Sequence, residues 1–394
     1  MGMWTTGRRV ALRFVLAYFV VALFPMAPYF ESVEVAWVCR HLLHVSAPRE
    51  TGITETVIYF LMSATIALAI TLIWSAVDRR AKSYAVLHDR LRIGVRYLLA
   101  TIMIIYGVAK VVPGGQFGPA DLSTLLRPFG RFTPMDVLWE FMGYSYAYTL
   151  FAGLGELAGS VLLFFRRTTT LGALILVAVL SNVMLLDFAY DVPPKVNATN
   201  YLLMALFLLA PDARRLFDAF VLNRALPAAN LGEAATTPRG RRIRRILKTL
   251  IVSLTAVVLP VAVEVIGRVL GFATPPRPAL FGIYDVQEFH RNGIAVPPLI
   301  TDTTRWRRVI VDERKTVAFQ GMNDRMEFFR VVDDTARHRW SLTGRADTLR
   351  KLAFTYAAGP GGALELDGAL AGDSVHLRLA KLDHTRFPLL SHRF

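Results

Sequence analysis

The sequence predicts a helical membrane bundle followed by a small antiparallel β domain. Apolar residues make up 54% of the 394 residues, and the mean hydropathy is +0.41, which is high for a soluble protein of this length. Several apolar segments reach about 20 residues, the length that crosses a hydrocarbon core of about 30 Å. After residue 278 the pattern changes to short alternating segments that are typical of β-strands.

Seven segments have the length and apolarity of a membrane span. They lie near residues 10–28, 57–77, 93–113, 146–165, 168–190, 199–217 and 249–271. The sixth is the weakest, because Pro211, Asp212 and two arginines interrupt its apolar run. The first follows a basic start, as a secretory signal does, but no small-x-small cleavage site precedes Pro25. We therefore interpret it as an uncleaved anchor.

The distribution of lysine and arginine predicts the orientation of these spans. The N-terminus and alternate loops carry 19 basic residues, whereas the other loops carry five before the C-terminal region. The positive-inside rule then places the N-terminus in the cytoplasm and the chain after residue 272 outside a bacterial inner membrane. The net charge of +15 follows the membrane topology rather than one groove-filling patch, so the lipid bilayer, not nucleic acid, is the expected partner.

The chain divides into five predicted regions. They are the first two spans with a cytoplasmic loop (1–92), a four-helix membrane core (93–217), a basic cytoplasmic linker (218–248), a seventh transmembrane helix (249–272) and an extracytoplasmic β-rich domain (273–394). Alternation predicts strands at 306–311, 326–332, 338–343, 352–356, 363–366 and 374–379, arranged as a sandwich or barrel. Cys39 is the only cysteine, so the outer domain has no internal disulfide.

Polar side chains inside four consecutive spans mark a candidate site. They are Lys110, Glu156, Asn182, Asp187 and Asn200, and Tyr106 lies one helical turn before Lys110. An ionisable group in hydrocarbon costs on the order of 2.5 to 3.5 kcal/mol on insertion scales, so such groups face a bundle interior or a wet cavity. With the predicted orientation, these residues converge on a polar pocket that opens toward the outside.

The lysine and the carboxylates leave two interpretations open. They form either a structural ion pair or a site that handles protons or a ligand, since burial and mutual attraction both act on such groups. A nearby Gly155-x-x-x-Gly159 step indicates close helix packing, which is its commoner meaning in a bundle.

The long outer segment from Gly114 to Tyr148 is amphipathic. Leu122, Leu125, Leu126 and Phe129 share one face. Two interpretations are open for it: a collar in the membrane interface, which we favour, or a lid over a lipidic ligand.

A metal site is a weaker alternative. Cys39, His41 and His44 have ligand-like spacing, but a structural zinc site usually has four ligands and the sequence offers no fourth nearby. We therefore predict no metal.

Three motifs resemble the DoxX-like family of four-helix membrane proteins. They are Tyr106-Gly107-Val108-Ala109-Lys110, the glycine-rich run from Phe151 to Gly159, and the segment from Arg166 to Gly172, all within residues 93–217. The resemblance implies a DoxX-like core in a longer bacterial variant with extra helices and a β-rich tail. It also implies an association with respiratory redox systems, including a thiosulfate:quinone oxidoreductase subunit, but it assigns no catalytic residue. The outer-domain plan is also similar, more distantly, to that of vitamin K-dependent carboxylase-like membrane proteins.

Two hypotheses for function follow. In the first, a redox-associated membrane protein binds a quinone or similar lipidic molecule through Tyr106, Lys110, Glu156, Asn182, Asp187 and Asn200. In the second, the protein is a non-catalytic membrane scaffold whose outer β domain recruits an extracytoplasmic protein partner. A cavity at the polar residues favours the first; a closed ion pair and an exposed apolar patch on the β domain favour the second.

Overall fold

The computed structural model describes residues 4–23, 53–193, 195–225, 277–313 and 315–383, together with isolated positions outside these ranges. The chain forms two compact units. One comprises Met1–Val111 and Leu150–Val263, and the other comprises Val112–Thr149 and Glu264–Phe394. The second unit therefore combines the β domain with the long segment between two membrane helices.

Helices dominate the first unit. In chain order, the α-helices of the described residues are α1 (Thr6–Leu23), α2 (Ile53–Val77), α3 (Ala85–Val111), α4 (Leu122–Leu125), α5 (Pro134–Tyr144), α6 (Tyr146–Leu163), α7 (Thr169–Ala189), α8 (Lys195–Leu209) and α9 (Ala213–Phe220). Short 3₁₀ turns lie at Phe129–Arg131, Ala210–Asp212 and Pro360–Gly362. Among these helices α2, α3, α6 and α7 are long and apolar enough to cross a membrane, which makes this a multi-pass membrane protein.

The predicted spans agree with the structure in part. The second to fifth predicted spans correspond to those four helices. The helix at the first span begins earlier, at Thr6, and its 18 residues include Arg8, Arg9 and Arg13, which lower its apolar content. The sixth is shorter than predicted, because α8 has 15 residues and gives way to a 3₁₀ turn containing Pro211. The seventh predicted span, 249–271, lies outside the continuously described residues.

A continuous apolar core joins α1, α3, α7 and α8. On α3, Val95, Leu99 and Met103 are buried at four-residue intervals, the spacing that places side chains on one helical face. This stripe packs with Leu176 of α7 and Met204 of α8 in the same cluster. Lys110 of α3 and Asp187 of α7 are also buried, toward one end of these helices.

An antiparallel β-barrel forms most of the second unit. Its strands are β1 (Gly282–Arg291), β2 (Ile294–Ala295), β3 (Trp306–Asp312), β4 (Thr316–Gly321), β5 (Met326–Asp334), β6 (Arg339–Gly344), β7 (Lys351–Ala358), β8 (Leu364–Leu370) and β9 (Asp373–Leu382). Each long strand pairs with the next long strand, and β1 also pairs with β9, which closes eight strands into a barrel. The two-residue β2 only extends β1. The prediction of a small antiparallel β domain is confirmed. The sequence left a sandwich or a barrel open, and the structure is a barrel.

Aromatic side chains fill the barrel. Trp306 stacks on Phe319 with ring centroids 4.0 Å apart, and Phe329, Trp340 and Phe354 are buried in the same cluster. Large rings supply much of the buried apolar area in so small a domain. This core explains how the unit holds together without a disulfide.

Two tight turns connect neighbouring strands. Asn292 and Gly293 have φ of 52° and 77°, and Ala371 and Gly372 have φ of 52° and 94°. Positive φ at both central residues is the type I′ geometry, whose twist matches that of a two-residue hairpin. The connection between β8, which ends at Leu370, and β9, which begins at Asp373, is therefore a two-residue hairpin.

The six predicted strands are present as β3 and β5–β9. Sequence alternation missed β1 and β4 for separate physical reasons. A register shift between Val286 and Glu288 interrupts the alternation of β1. In β4, four successive residues from Val317 to Gln320 are buried, so the strand reads as a continuous run rather than an alternating one.

The outer segment covers part of the barrel. Leu122 of α4 is buried with Ile283, Ile310 and Ala318 of the barrel wall, and Leu125 and Leu126 pack against the same cluster. The Arg131 guanidinium donates to the carbonyls of Asn323 and Asp324 at 3.1 and 3.0 Å. Leu122, Leu125 and Leu126 therefore face the barrel, whereas Phe129, the fourth residue of the predicted face, is exposed. The collar and the lid both stay predictions.

Candidate functional site

The site is built around a buried ion pair between two membrane helices. Lys110, near the end of α3, donates from Nζ to Oε1 of Glu156 on α6 at 2.6 Å. The two side chains are 7% and 3% exposed. The contact is a direct, charge-assisted hydrogen bond rather than a distant attraction.

Glycine contacts explain why these two helices come close enough. A Cβ built on Gly153 of α6 would lie 2.9 Å from the carbonyl oxygen of Gly107 on α3 and 2.9 Å from Cβ of Lys110. Because both residues lack a side chain, the backbones approach directly. Lys110 and Glu156 follow these glycines by three residues each, so they meet about one turn along the same contact.

A second glycine contact joins α6 to α7. A Cβ on Gly172 would lie 2.7 Å from the carbonyl oxygen of Gly159, and a Cβ on Gly159 would lie 2.6 Å from Cγ of Leu176. Gly155 makes a looser approach, 3.2 Å from Cγ2 of Val179. The sequence pattern predicted tight packing here, and the structure assigns it to α7.

Two further predicted residues, Tyr106 and Asp187, lie around the pair. The ammonium group of Lys110 is 5.8 Å from the ring centroid of Tyr106, whose side chain hydrogen-bonds to Tyr201 of α8. Asp187 of α7 is buried and lies within electrostatic reach of Lys110 and Lys195. Lys110, Glu156, Asp187 and Tyr106 thus form one interacting group, which we call the polar cluster.

Asn200 has a different partner. Its side-chain oxygen accepts a hydrogen bond from the hydroxyl of Tyr18 on α1 at 2.8 Å, and Asn200 is 1% exposed. This bond joins α8 to α1 and satisfies a buried amide. Asn200 therefore lies next in sequence to Tyr201 of the cluster but is already engaged in helix packing.

Asn182 does not join the cluster, because it lies on the exposed face of α7. It precedes Asp187 by five residues, which is a rotation of about 140° on an α-helix. The two side chains therefore point in different directions, and Asp187 is the one that faces the bundle.

Sequence reasoning missed a second buried lysine. Lys195 is fully buried at the start of α8 and donates to Oδ1 of Asp191 at 2.7 Å and to the carbonyl of Val192 at 3.1 Å. Asp191 has a φ of 54°, a left-handed conformation that aspartate tolerates. The i, i+4 spacing of opposite charges at Asp191 and Lys195 was the available signal.

Glu156 retains unused hydrogen-bonding capacity. Its Oε2 is buried and has no hydrogen-bond partner among the described residues. Buried carboxylate oxygens are usually satisfied, so this atom requires an explanation. Lys110 has three N–H donors and gives one to Glu156 Oε1. The polar cluster can therefore both accept and donate a hydrogen bond to a further group.

The chain is similar to a curated bacterial protein. Over 125 residues it is 37% identical to the uncharacterized protein YwoB of Bacillus subtilis (strain 168), a match that covers 32% of this chain and 79% of YwoB. The chain belongs to the YwoB family. About two thirds of its length lies beyond that similarity. No protein-family model matches the chain, and no solved structure matches it.

Proposed function

We propose that this YwoB-family membrane protein binds the polar head of a quinone or a similar lipidic molecule at the polar cluster. The observation that carries the proposal is the buried Oε2 of Glu156, which lies beside the Lys110 ammonium and has no hydrogen-bond partner in the described part of the chain. A quinone carbonyl accepts a hydrogen bond and a quinol hydroxyl donates one, so either form finds a complementary group there. An apolar ring and tail suit the surrounding helices.

The DoxX-like resemblance supports the choice of a redox-associated ligand. Its motifs include Lys110 and Glu156 and the glycines that bring them together. The proposal is one of binding: the cluster orients a head group and holds a proton at Glu156 or Asp187. Electron transfer to such a ligand belongs to a partner of the respiratory redox class.

Co-purification of quinone tests this proposal. Wild-type protein purified in detergent is extracted and its quinone content is measured by mass spectrometry beside Glu156→Gln and Lys110→Met. Glu156→Gln keeps the size of the side chain and removes its charge. We expect quinone in the wild type and its loss in both variants.

Asp191→Asn is the matched control. It removes the charge from another ion pair of a buried lysine, outside the Lys110–Glu156 contact. Retention of quinone by this variant shows that losing an ion pair is not sufficient for release. An empty wild type, or equal loss in all three variants, would reject the proposal.

A second candidate function rests on the barrel, and the closed Lys110–Glu156 pair favours it. Ile294, Leu299, Ile300 and Leu349 are 72%, 55%, 79% and 89% exposed. The strand pairings, among them Trp306 with Gly321 and β5 with β6, place the segments that carry these four residues at the same end of the barrel. Exposed apolar groups gathered in this way are typical of a contact surface and support a scaffold that recruits an extracytoplasmic protein.

Cross-linking in intact cells tests the scaffold function. Ile300→Ser and Leu349→Ser reduce the yield of a specific cross-linked partner if this barrel end is the contact. Val332→Ser is the control, since Val332 is also exposed but lies within β5. Equal yields in all variants would reject the barrel end as a recruitment surface.

A further inference from the structure

A second charged cluster lies far from the polar cluster in the helical unit. It consists of Arg92 and Arg96 of α3, Arg215 of α9 and Asp212 of the preceding 3₁₀ turn, and we call it the arginine cluster. Arg92 precedes Lys110 by 18 residues on α3, which corresponds to about 27 Å along a helix. The two clusters are therefore separate sites.

Asp212 is the centre of this arrangement. Its carboxylate accepts from Arg215 Nη1 at 3.0 Å, from Arg92 Nη2 at 3.4 Å and from the hydroxyl of Thr170 at 2.7 Å. Arg92 also donates to the carbonyl of Leu208 at 3.1 Å, and Arg96 donates to the hydroxyl of Thr169 at 3.4 Å. One carboxylate thus serves two guanidinium groups and a hydroxyl.

The charges of the cluster do not balance. The guanidinium groups of Arg92 and Arg215 share the one carboxylate of Asp212, which leaves an excess of one positive charge at this contact. Arg96 and Asp212 are 6% and 8% exposed, and Nε of Arg92 and of Arg215 is buried without an acceptor among the described residues. Buried charges and buried donors are normally compensated, so the cluster has the composition of an anion site.

The surroundings favour an anion attached to a membrane. Thr169 and Thr170 open α7, whose N-terminal backbone dipole adds to the positive potential. On α9, the helix that carries Arg215, Phe217 and Phe220 are exposed, so apolar surface lies on the same helix as one of the charges. A free phosphate would make no contact with that apolar surface, whereas the acyl chain of a lipid would.

We propose that the arginine cluster binds the phosphate head group of an anionic phospholipid. The guanidinium fork matches the geometry of phosphate oxygens, and basic pockets between membrane helices are a general mode of head-group recognition. The lipid phosphate supplies acceptors to Arg92 and Arg215 while Asp212 keeps both side chains in place. This inference is independent of the function proposed for the polar cluster.

Native mass spectrometry of the delipidated full chain tests the site. The protein is titrated with phosphatidylglycerol or with phosphatidylcholine as probes. We expect the wild type to retain phosphatidylglycerol preferentially, and Arg92→Gln or Arg215→Gln to weaken its binding by about fivefold each, the effect of one basic residue at a membrane surface. Arg214→Gln is the matched control, because that side chain is 95% exposed.

The outcomes separate a built site from diffuse attraction. Equal weakening by Arg214→Gln, or no preference of the wild type for the anionic lipid, would overturn the proposal. Displacement of the lipid by millimolar inorganic phosphate would assign the site to a soluble anion instead. If a glutamine variant fails to fold, Arg215→Lys replaces it: it keeps the charge but loses the planar fork, so it should bind phosphatidylglycerol more weakly than wild type while Arg214→Lys does not.

Discussion

At the scale of residues, the Lys110–Glu156 pair has the greatest energetic consequence. A buried ion pair offers little net stability over an apolar pair, but removing one partner strands a charge and costs about 3 to 5 kcal/mol. Both side chains are almost fully buried and in direct contact. The pair is therefore costly to break from one side only.

A double-mutant cycle measures this coupling. Lys110→Met and Glu156→Gln should each lower thermal stability in detergent. The stability lost by the double variant should be smaller than the sum of the two single losses, by at least about 1 kcal/mol. The pairwise contact at 2.6 Å is the physical reason. Additive losses would show that the two residues act independently.

Asp312 gives the barrel unit a pH-dependent stability. Burial, followed by the nearby Asp121 carboxylate, raises the pKa of Asp312 from 3.8 to about 6, although the backbone N–H groups of Glu313 and Ser123 favour the ionised form. The folded state therefore binds the proton more tightly than the unfolded state. The contribution of Asp312 to stability is therefore fully present below about pH 4 and is lost as the pH rises through about 6.

Replacing the Asp312 carboxylate tests the direction of this pH dependence. At pH 7 the free energy of unfolding of the barrel unit should be higher in Asp312→Asn than in wild type, by at most about 3 kcal/mol for a pKa shift of this size. The two proteins should converge near pH 4. Asp347→Asn, at an exposed loop, is the control and should retain the wild-type dependence on pH.

At the scale of elements, glycine contacts determine how the membrane helices approach. Gly153 meets backbone atoms of α3, while Gly94 on α3 has nothing within 4 Å of an added Cβ. The sequence indicated close packing through Gly155 and Gly159. It did not indicate which helix is the partner, because a small-residue step specifies a short distance but not the neighbour.

Alanine substitutions distinguish these glycines. Gly153→Ala should destabilise the bundle by about 1 to 3 kcal/mol, as overpacking does, and should weaken quinone retention by separating Lys110 from Glu156. Gly94→Ala should be neutral or slightly stabilising, because alanine is the better helix former. Thermal unfolding of both variants is the measurement, and equal effects would contradict the assigned contact.

Strand prediction succeeded for β5 to β9, where one face of the sheet is covered, and failed for β4, where both faces are covered. Alternation located β5 to β9, whose side chains alternate between barrel interior and exterior. It missed β4, because Ala318 on the outer side is covered by Leu122. Covering by a distant segment leaves no local signal, so this strand could not be found from periodicity alone.

At the scale of the whole molecule, the chain divides into units that are not contiguous in sequence. Val112–Thr149 belongs with the barrel although it connects two membrane helices. Its amphipathic pattern predicted an apolar contact but could not identify the barrel wall as the surface contacted. In the helical unit, residue type and depth sufficed to select Lys110, Glu156 and Asp187, whereas Asn182 shows that polarity without helical phase is insufficient.

Cysteine labelling tests the predicted orientation. In a Cys39→Ser background, which removes the only native cysteine, Leu349→Cys should react with a membrane-impermeant maleimide in intact cells. Arg80→Cys, in a basic loop, should react only after permeabilisation. Reaction of Arg80→Cys in intact cells, with protection of Leu349→Cys, would reverse the orientation.

Photolabelling tests the central claim most directly. The full-length protein is illuminated with a short-chain azidobenzoquinone, and the modified peptides are mapped by mass spectrometry with and without excess unmodified quinone. We expect saturable labelling of α3, α6 or α7 near Tyr106, Glu156 and Asp187, and we expect Glu156→Gln to abolish it. Labelling confined to lipid-facing or barrel peptides, or unaffected by competing quinone, would contradict a quinone site at the polar cluster.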